Sequence, residues 1–136
     1  MPPTKTGNAS IKNSLVSVGC NIGDGVEIEN SIIGLRTHIA PGAKIRNSII
    51  MGAAYYNSER PNEIETDIPL GIGENTIIDG AIIDLDCRIG KNVEIINGKQ
   101  RQDSALDHPV CVIRDGIPIL IKKSILADGW KLDDEI

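Results

Sequence analysis

Ile22-Gly23-Asp24-Gly25-Val26-Glu27, Ile28-Glu29-Asn30-Ser31-Ile32, Ile33-Gly34-Leu35-Arg36-Thr37-His38, Ile39-Ala40-Pro41-Gly42-Ala43-Lys44 and Ile45-Arg46-Asn47-Ser48-Ile49, with a restart at Ile50, make up the stretch that decides the fold. An isoleucine opens every block, and the steps between openers run 6, 5, 6, 6, 5. Three blocks close a cycle of 17 residues. Neither the 3.6-residue period of a helix nor the two-residue period of an isolated strand produces such a cycle. A three-sided solenoid coil does.

The repeat extends in both directions. Asn13-Ser14-Leu15-Val16 returns as Asn30-Ser31-Ile32-Ile33 and as Asn47-Ser48-Ile49-Ile50. The openers Val16, Ile22, Ile28, Ile33, Ile39 and Ile45 are expected to point inward and stack between coils. So are the smaller residues four places later, Cys20, Val26, Thr37 and Ala43. Gly23, Gly34, Asp24-Gly25 and Pro41-Gly42 read as turn chemistry at the corners. The Asn13, Asn30 and Asn47 column reads as a ladder of turn residues that tolerate the left-handed backbone region. His38, between inward Thr37 and inward Ile39, is expected to face outward, and the outward columns read as mixed Asn, Glu, Lys and Arg.

The chain divides accordingly. Residues 1–10 read as a linker or boundary segment, 11–130 as the β-helix and 131–136 as a charged tail that blunts the open sheet edge. The rhythm stops over about 51–70, which holds Tyr55 and Tyr56, and over about 97–110, so two loops leave the solenoid. Tyr55 and Tyr56 either pack the first loop back on the solenoid or anchor a subunit contact. The register resumes at Ile72, and a last coil is expected through Ile113, Ile119 and Ile125, with Trp130 capping the core.

Composition supports a narrow aliphatic interior. Phenylalanine is absent, and isoleucine and valine carry the apolar content, as β-branched residues in strands should. A net charge of −5 argues against a nucleic-acid partner, and no apolar run is long enough for a membrane span. The start of the chain lacks a signal-peptide pattern. Cys20, Cys87 and Cys111 have no paired spacing and read as buried reduced thiols. His38 and His108 are the two histidines, too few for a three-histidine metal site between coils. No metal site and no catalytic residue is expected in this chain.

Pro2-Pro3-Thr4-Lys5, Gly34-Leu35-Arg36, Met51-Gly52-Ala53-Ala54-Tyr55-Tyr56, Ile72-Gly73-Glu74-Asn75-Thr76, Arg88-Ile89-Gly90-Lys91-Asn92-Val93, Ile113-Arg114-Asp115-Gly116 and the segment 122–129 occur in this order. Together they resemble the C-terminal β-helix domain of glucose-1-phosphate adenylyltransferase (ADP-glucose pyrophosphorylase), of the cyanobacterial or plant type. The resemblance implies an all-β, left-handed parallel β-helix of the hexapeptide-repeat kind. It also implies a non-catalytic regulatory and oligomerisation part of an ADP-glucose-forming enzyme of glycogen or starch synthesis. The chemistry, and its magnesium, would belong to a nucleotidyltransferase domain absent from this chain. Partners would be that domain and further subunits of a homo- or hetero-oligomer, with phosphate or phosphoglycerate as effector, in a bacterial cytoplasm or a plastid stroma.

By the same resemblance Lys122 matches an effector-binding lysine, and Arg114, with Lys99, is a further anion contact. The family's second effector lysine falls on Leu85, whose aliphatic side chain cannot bind a phosphate or carboxylate. Two other readings stay open. A free-standing hexapeptide acyltransferase would need a loop histidine as general base. A structural solenoid such as an ice-binding protein would show flat threonine arrays.

Overall fold

A computed structural model describes residues 3–59 and 66–136; the first two residues and the middle of the first expected loop, 60–65, lie outside it. Among the described residues, short strands form three sheets, the sides of a triangular coil. Sheet A contains Lys5–Thr6, Asn21–Ile22, His38–Ile39, Gly71–Ile72, Arg88–Ile89 and Ile125–Leu126. Sheet B contains Ser10–Lys12, Glu27–Glu29, Lys44–Arg46, Ile77–Asp79 and Glu94–Ile96. Sheet C contains Leu15–Val16, Ile32–Ile33, Ile49–Ile50, Ile82–Ile83, Ile117–Leu120 and Cys111–Arg114.

Within each sheet every pair is parallel except the last of sheet C. Ile22, Ile39, Ile72 and Ile89 stack in one register, as do Ile11, Ile28, Ile45, Ile78 and Ile95. Apart from Ile11 at the first coil, these side chains are buried and form one continuous core with Ile33, Ile50 and Ile83. Val16, also in the first coil, is half-buried. Each coil thus covers the aliphatic layer of its neighbour, so that stability belongs to the stack and not to a single turn.

Two polar ladders hold one corner. Asn13, Asn30 and Asn47 take φ values of 48°, 50° and 50°, the left-handed conformation that asparagine accepts more readily than most residues. Their side-chain amides link coil to coil: Asn13 donates to Asn30 at 3.1 Å, Asn30 to Asn47 at 2.9 Å, and Asn47 to Asp79 at 3.0 Å. Beside them the Ser14 hydroxyl accepts the Ser31 N–H, Ser31 accepts that of Ser48, and Ser48 accepts that of Ala81. The ladder therefore continues across the first loop without a change of register.

Several expectations need correction. Lys5–Thr6, placed in the boundary segment, is a sheet A strand paired with Asn21–Ile22. Gly23 and Gly34 are not turn glycines; they lie where coils approach closely. A Cβ on Gly23 would sit 2.8 Å from Pro41 N, and one on Gly34 would overlap the Met51 carbonyl. Ile113 belongs to no parallel coil. Cys111–Arg114 runs antiparallel to Ile117–Leu120 as a hairpin. In that last coil the inward set falls one residue later than the rhythm suggests. Leu120 pairs with Ile83 and Leu126 with Ile89, and both are buried, which leaves Ile119 and Ile125 facing outward. A one-residue slip exchanges the two faces of a strand.

The charged tail forms a short helix, Leu132–Glu135, that buries Leu132 over the end of the core beside half-buried Trp130. Its Lys131 bridges Glu94 at 3.6 Å. The tail closes the apolar end rather than merely charging an edge.

The three cysteines are free and buried. Burial pushes the Cys20 thiol pKa up. It raises Cys87 to about 11, with Asp84 and Asp86 adding to the effect, and Cys111 to about 11. An unfolded thiol ionises near pH 9 while the folded ones stay neutral. Stability from these groups is therefore present below about pH 9 and lost as pH rises toward 11. We expect the melting temperature to fall between about pH 8 and pH 10.5, and to fall less steeply in a Cys87→Ala/Cys111→Ala variant. Identical slopes for the two proteins would count against it.

Candidate functional site

The corner that joins sheet C to sheet A repeats one conformation up the stack. Its second residue takes a positive φ: Gly19 at 80°, Arg36 at 57°, Asp86 at 59° and Lys123 at 64°. Each of the three non-glycine residues donates its N–H to the coil below: Arg36 to the Val18 carbonyl, Asp86 to Gly52, and Lys123 to Leu85 at 2.9 Å. The first corner residues, Val18, Leu35, Gly52, Leu85 and Lys122, are consequently stacked. Adjacent strands lie about 4.8 Å apart, so exposed Lys122 stands directly over Leu85.

Carboxylates share this corner. Asp84 accepts the Leu85 N–H at 2.6 Å, and buried Asp86 accepts the Ala54 N–H at 2.8 Å. Lys122 and Lys123 thus face a mixed field and not a purely positive one. Arg114 is not brought to them. It pairs with Ile117 at one end of the hairpin, whereas Leu120, two residues before Lys122, pairs with Cys111 at the other. That separation is about 10 Å along the strand. Arg114 instead faces Asp103 at 3.8 Å, both side chains half-exposed, a contact of little energetic weight. Lys99 donates to the Asp133 carbonyl at 2.8 Å and ties the second loop to the C-terminal helix. His108 is structural: its Nδ1 accepts the N–H groups of Val110 and Cys111 and sets the entry to the hairpin.

The sequence matches the GLGC left-handed parallel beta-helix domain over residues 1–130. The chain belongs to this family. It is an all-β, left-handed parallel β-helix, corresponding to the C-terminal β-helix domain of glucose-1-phosphate adenylyltransferase. Leu85 and Lys122, the two positions singled out in the sequence, thus meet at one corner of the domain. Among the described residues no three His, Cys, Asp or Glu side chains converge to hold a metal. No helix among them is long and apolar enough to cross a membrane.

Three features of the domain escaped sequence reasoning. Sheet C presents an aliphatic outer column, Leu15, Ile32, Ile49, Ile82 and Ile119, in continuous register. Leu15, Ile32 and Ile49 are 61%, 48% and 40% exposed, and Val18, Leu35 and Met51 extend the strip. Sheet B, by contrast, pairs Lys44 with Glu27 at 3.5 Å and Arg46 with Asp79 at 3.8 Å on its outer face. The signal for the column lay in the doublets Ile32-Ile33, Ile49-Ile50 and Ile82-Ile83, since adjacent strand residues cannot both point inward.

The second feature is Arg88, outward on sheet A yet 4% exposed. Its Nη1 donates to Asn57 Oδ1 and to the Ile68 carbonyl, each at 2.9 Å, pinning both limbs of the first loop to the sheet. Tyr55 is buried and the Tyr56 hydroxyl donates to the Gly19 carbonyl at 3.1 Å, so both tyrosines fold the loop back on the solenoid. The third feature is the cavity this creates, about 420 Å³, between the loop and the outer face of sheet A. The 17-residue spacing of His38 from Asn21 was its one sequence trace.

Proposed function

We propose that this chain is a non-catalytic regulatory and assembly domain of an ADP-glucose-forming nucleotidyltransferase of glycogen or starch synthesis, working in a bacterial cytoplasm or a plastid stroma. The observation that carries this reading is the aliphatic column of sheet C. An exposed, continuous strip of large apolar side chains on an otherwise charged surface is the mark of a protein interface. Its partner is a nucleotidyltransferase domain or a further subunit. The Lys122 corner supplies the regulatory part, taking a phosphate or phosphoglycerate with its ammonium as the point charge. Leu85 leaves that contact single-handed, so effector binding is weak and suits a modulatory subunit.

Sedimentation of the chain, alone and mixed with a nucleotidyltransferase domain of the family, tests this. Association is expected, and an Ile32→Lys/Ile49→Lys variant should keep its circular dichroism spectrum while losing that association by about tenfold or more. A chain that stays monomeric and binds no such domain would refute the assembly role. ADP-glucose formation from ATP and glucose 1-phosphate by the chain alone would refute the non-catalytic one. In the assembled enzyme, Lys122→Ala is expected to weaken activation by phosphoglycerate, and unchanged activation would dismiss Lys122.

A further inference from the structure

The cavity beneath the first loop has chemistry of its own. Its floor is the outer column of sheet A, where Lys5 pairs with Asn21 and Asn21 with His38. These side chains point to the same side, and Lys5 and His38 are two strands, about 10 Å, apart. Arg36 enters from the corner and fixes itself through one bond, Nη1 to the Ala53 carbonyl at 3.1 Å. Among the described residues the rest of its guanidinium fork meets no further acceptor. Arg36 also holds a left-handed backbone (φ 57°) where the coil below uses Gly19, a conformation with a cost for a side chain of this size.

Among the described lining residues there is no carboxylate, and none of Lys5, Arg36 and His38 has an ion-pair partner among the described residues. Partial burial lowers the His38 pKa, so near neutral pH its ring is a neutral N–H donor and the charge comes from Lys5 and Arg36. The opposite wall is apolar, made by Tyr55, Tyr56, Pro69 and Leu70. Two cations and a neutral donor facing an aromatic and aliphatic wall match an anion attached to an organic group.

We propose that this pocket binds a phosphate monoester, its phosphoryl oxygens on Lys5, Arg36 and His38 and its organic part against the tyrosine wall. This is a second anion site, distinct from the Lys122 corner. It lies on the coils that hold Lys5, Asn21 and His38, while Lys122 tops the Leu85 coil.

Titration calorimetry of the whole chain with phenyl phosphate and with inorganic phosphate tests it. Saturable binding of phenyl phosphate is expected, tighter than that of inorganic phosphate because the ring reaches the apolar wall. Lys5→Gln and His38→Ala change exposed positions, and each should weaken it by about tenfold while leaving the melting temperature in place. Lys122→Ala should leave it unchanged. The proposal is overturned if phenyl phosphate shows no saturation below about 10 mM, or if Lys122→Ala abolishes binding while Lys5→Gln does not.

Discussion

Ile39→Asp is expected to abolish the folded state. Ile39 is fully buried, midway along the stack, and pairs with Ile22 on one side and Ile72 on the other. A carboxylate there would sit among aliphatic side chains without a hydrogen-bond donor, at a cost of several kcal/mol. Domains of this size are stable by only about 5–15 kcal/mol. Because each coil is held by its neighbours, the loss also deprives the coils on either side of a partner. Circular dichroism and calorimetry should show no cooperative transition. Ile32→Asp, a few residues earlier in the same coil but outward, should shift stability by no more than about 1 kcal/mol. A cooperative melt of Ile39→Asp at the parental temperature would refute the inward assignment and the array argument together.

Gly34→Ala should carry the next largest penalty, about 3 kcal/mol. A methyl group there would overlap the Met51 carbonyl and lie 2.9 Å from the Ile50 carbonyl. Neither is the far end of a flexible side chain that could turn away. The Gly34 N–H also donates to that Ile50 carbonyl at 2.7 Å, so the added carbon wedges apart the coils that this bond holds together. Gly80→Ala is the comparison. It too sits at a corner, at φ 74°, but a Cβ would meet nothing within 4 Å, so its cost is confined to the backbone, about 1 kcal/mol. Urea denaturation of the two variants separates the effects. Equal losses would mean that close approach is not what requires glycine at position 34.

The sequence carried the fold because a coil must return to the same register each time it closes. Ile22 with Ile39, and Ile72 with Ile89, could be aligned from their 17-residue spacing alone, whereas the pairing of Ile39 with Ile72 across the first loop came from the structure. Where the chain leaves that rule, spacing stopped being informative. It took Ile119 and Ile125, which face outward, as the inward set and passed over Leu120 and Leu126, while Ile113 reaches the core from an antiparallel hairpin and not from a coil. The reason for Gly34 was also hidden, since a turn glycine and a close-approach glycine look the same in sequence. Of the candidate site, Lys122 was legible by family pattern, whereas its stacking on Leu85 needed the corner geometry. The pocket with Lys5, Arg36 and His38 was hidden because its walls come from separate coils and a loop with no period of its own.

The polar ladder at the serine corner has a further meaning. The Ser48 N–H donates to the Ser31 hydroxyl across 17 residues, and the Ser48 hydroxyl accepts the Ala81 N–H across 33, the same hydroxyl-to-amide contact in both steps. Closing a loop of twice the length costs only about 0.6 kcal/mol. The core therefore registers which residues meet and is nearly blind to how much chain lies between them. A corner behaves as an open socket: sequence can be lengthened, shortened or exchanged there, and new recognition surfaces can be grafted on, while the stack of isoleucines beneath stays as it was.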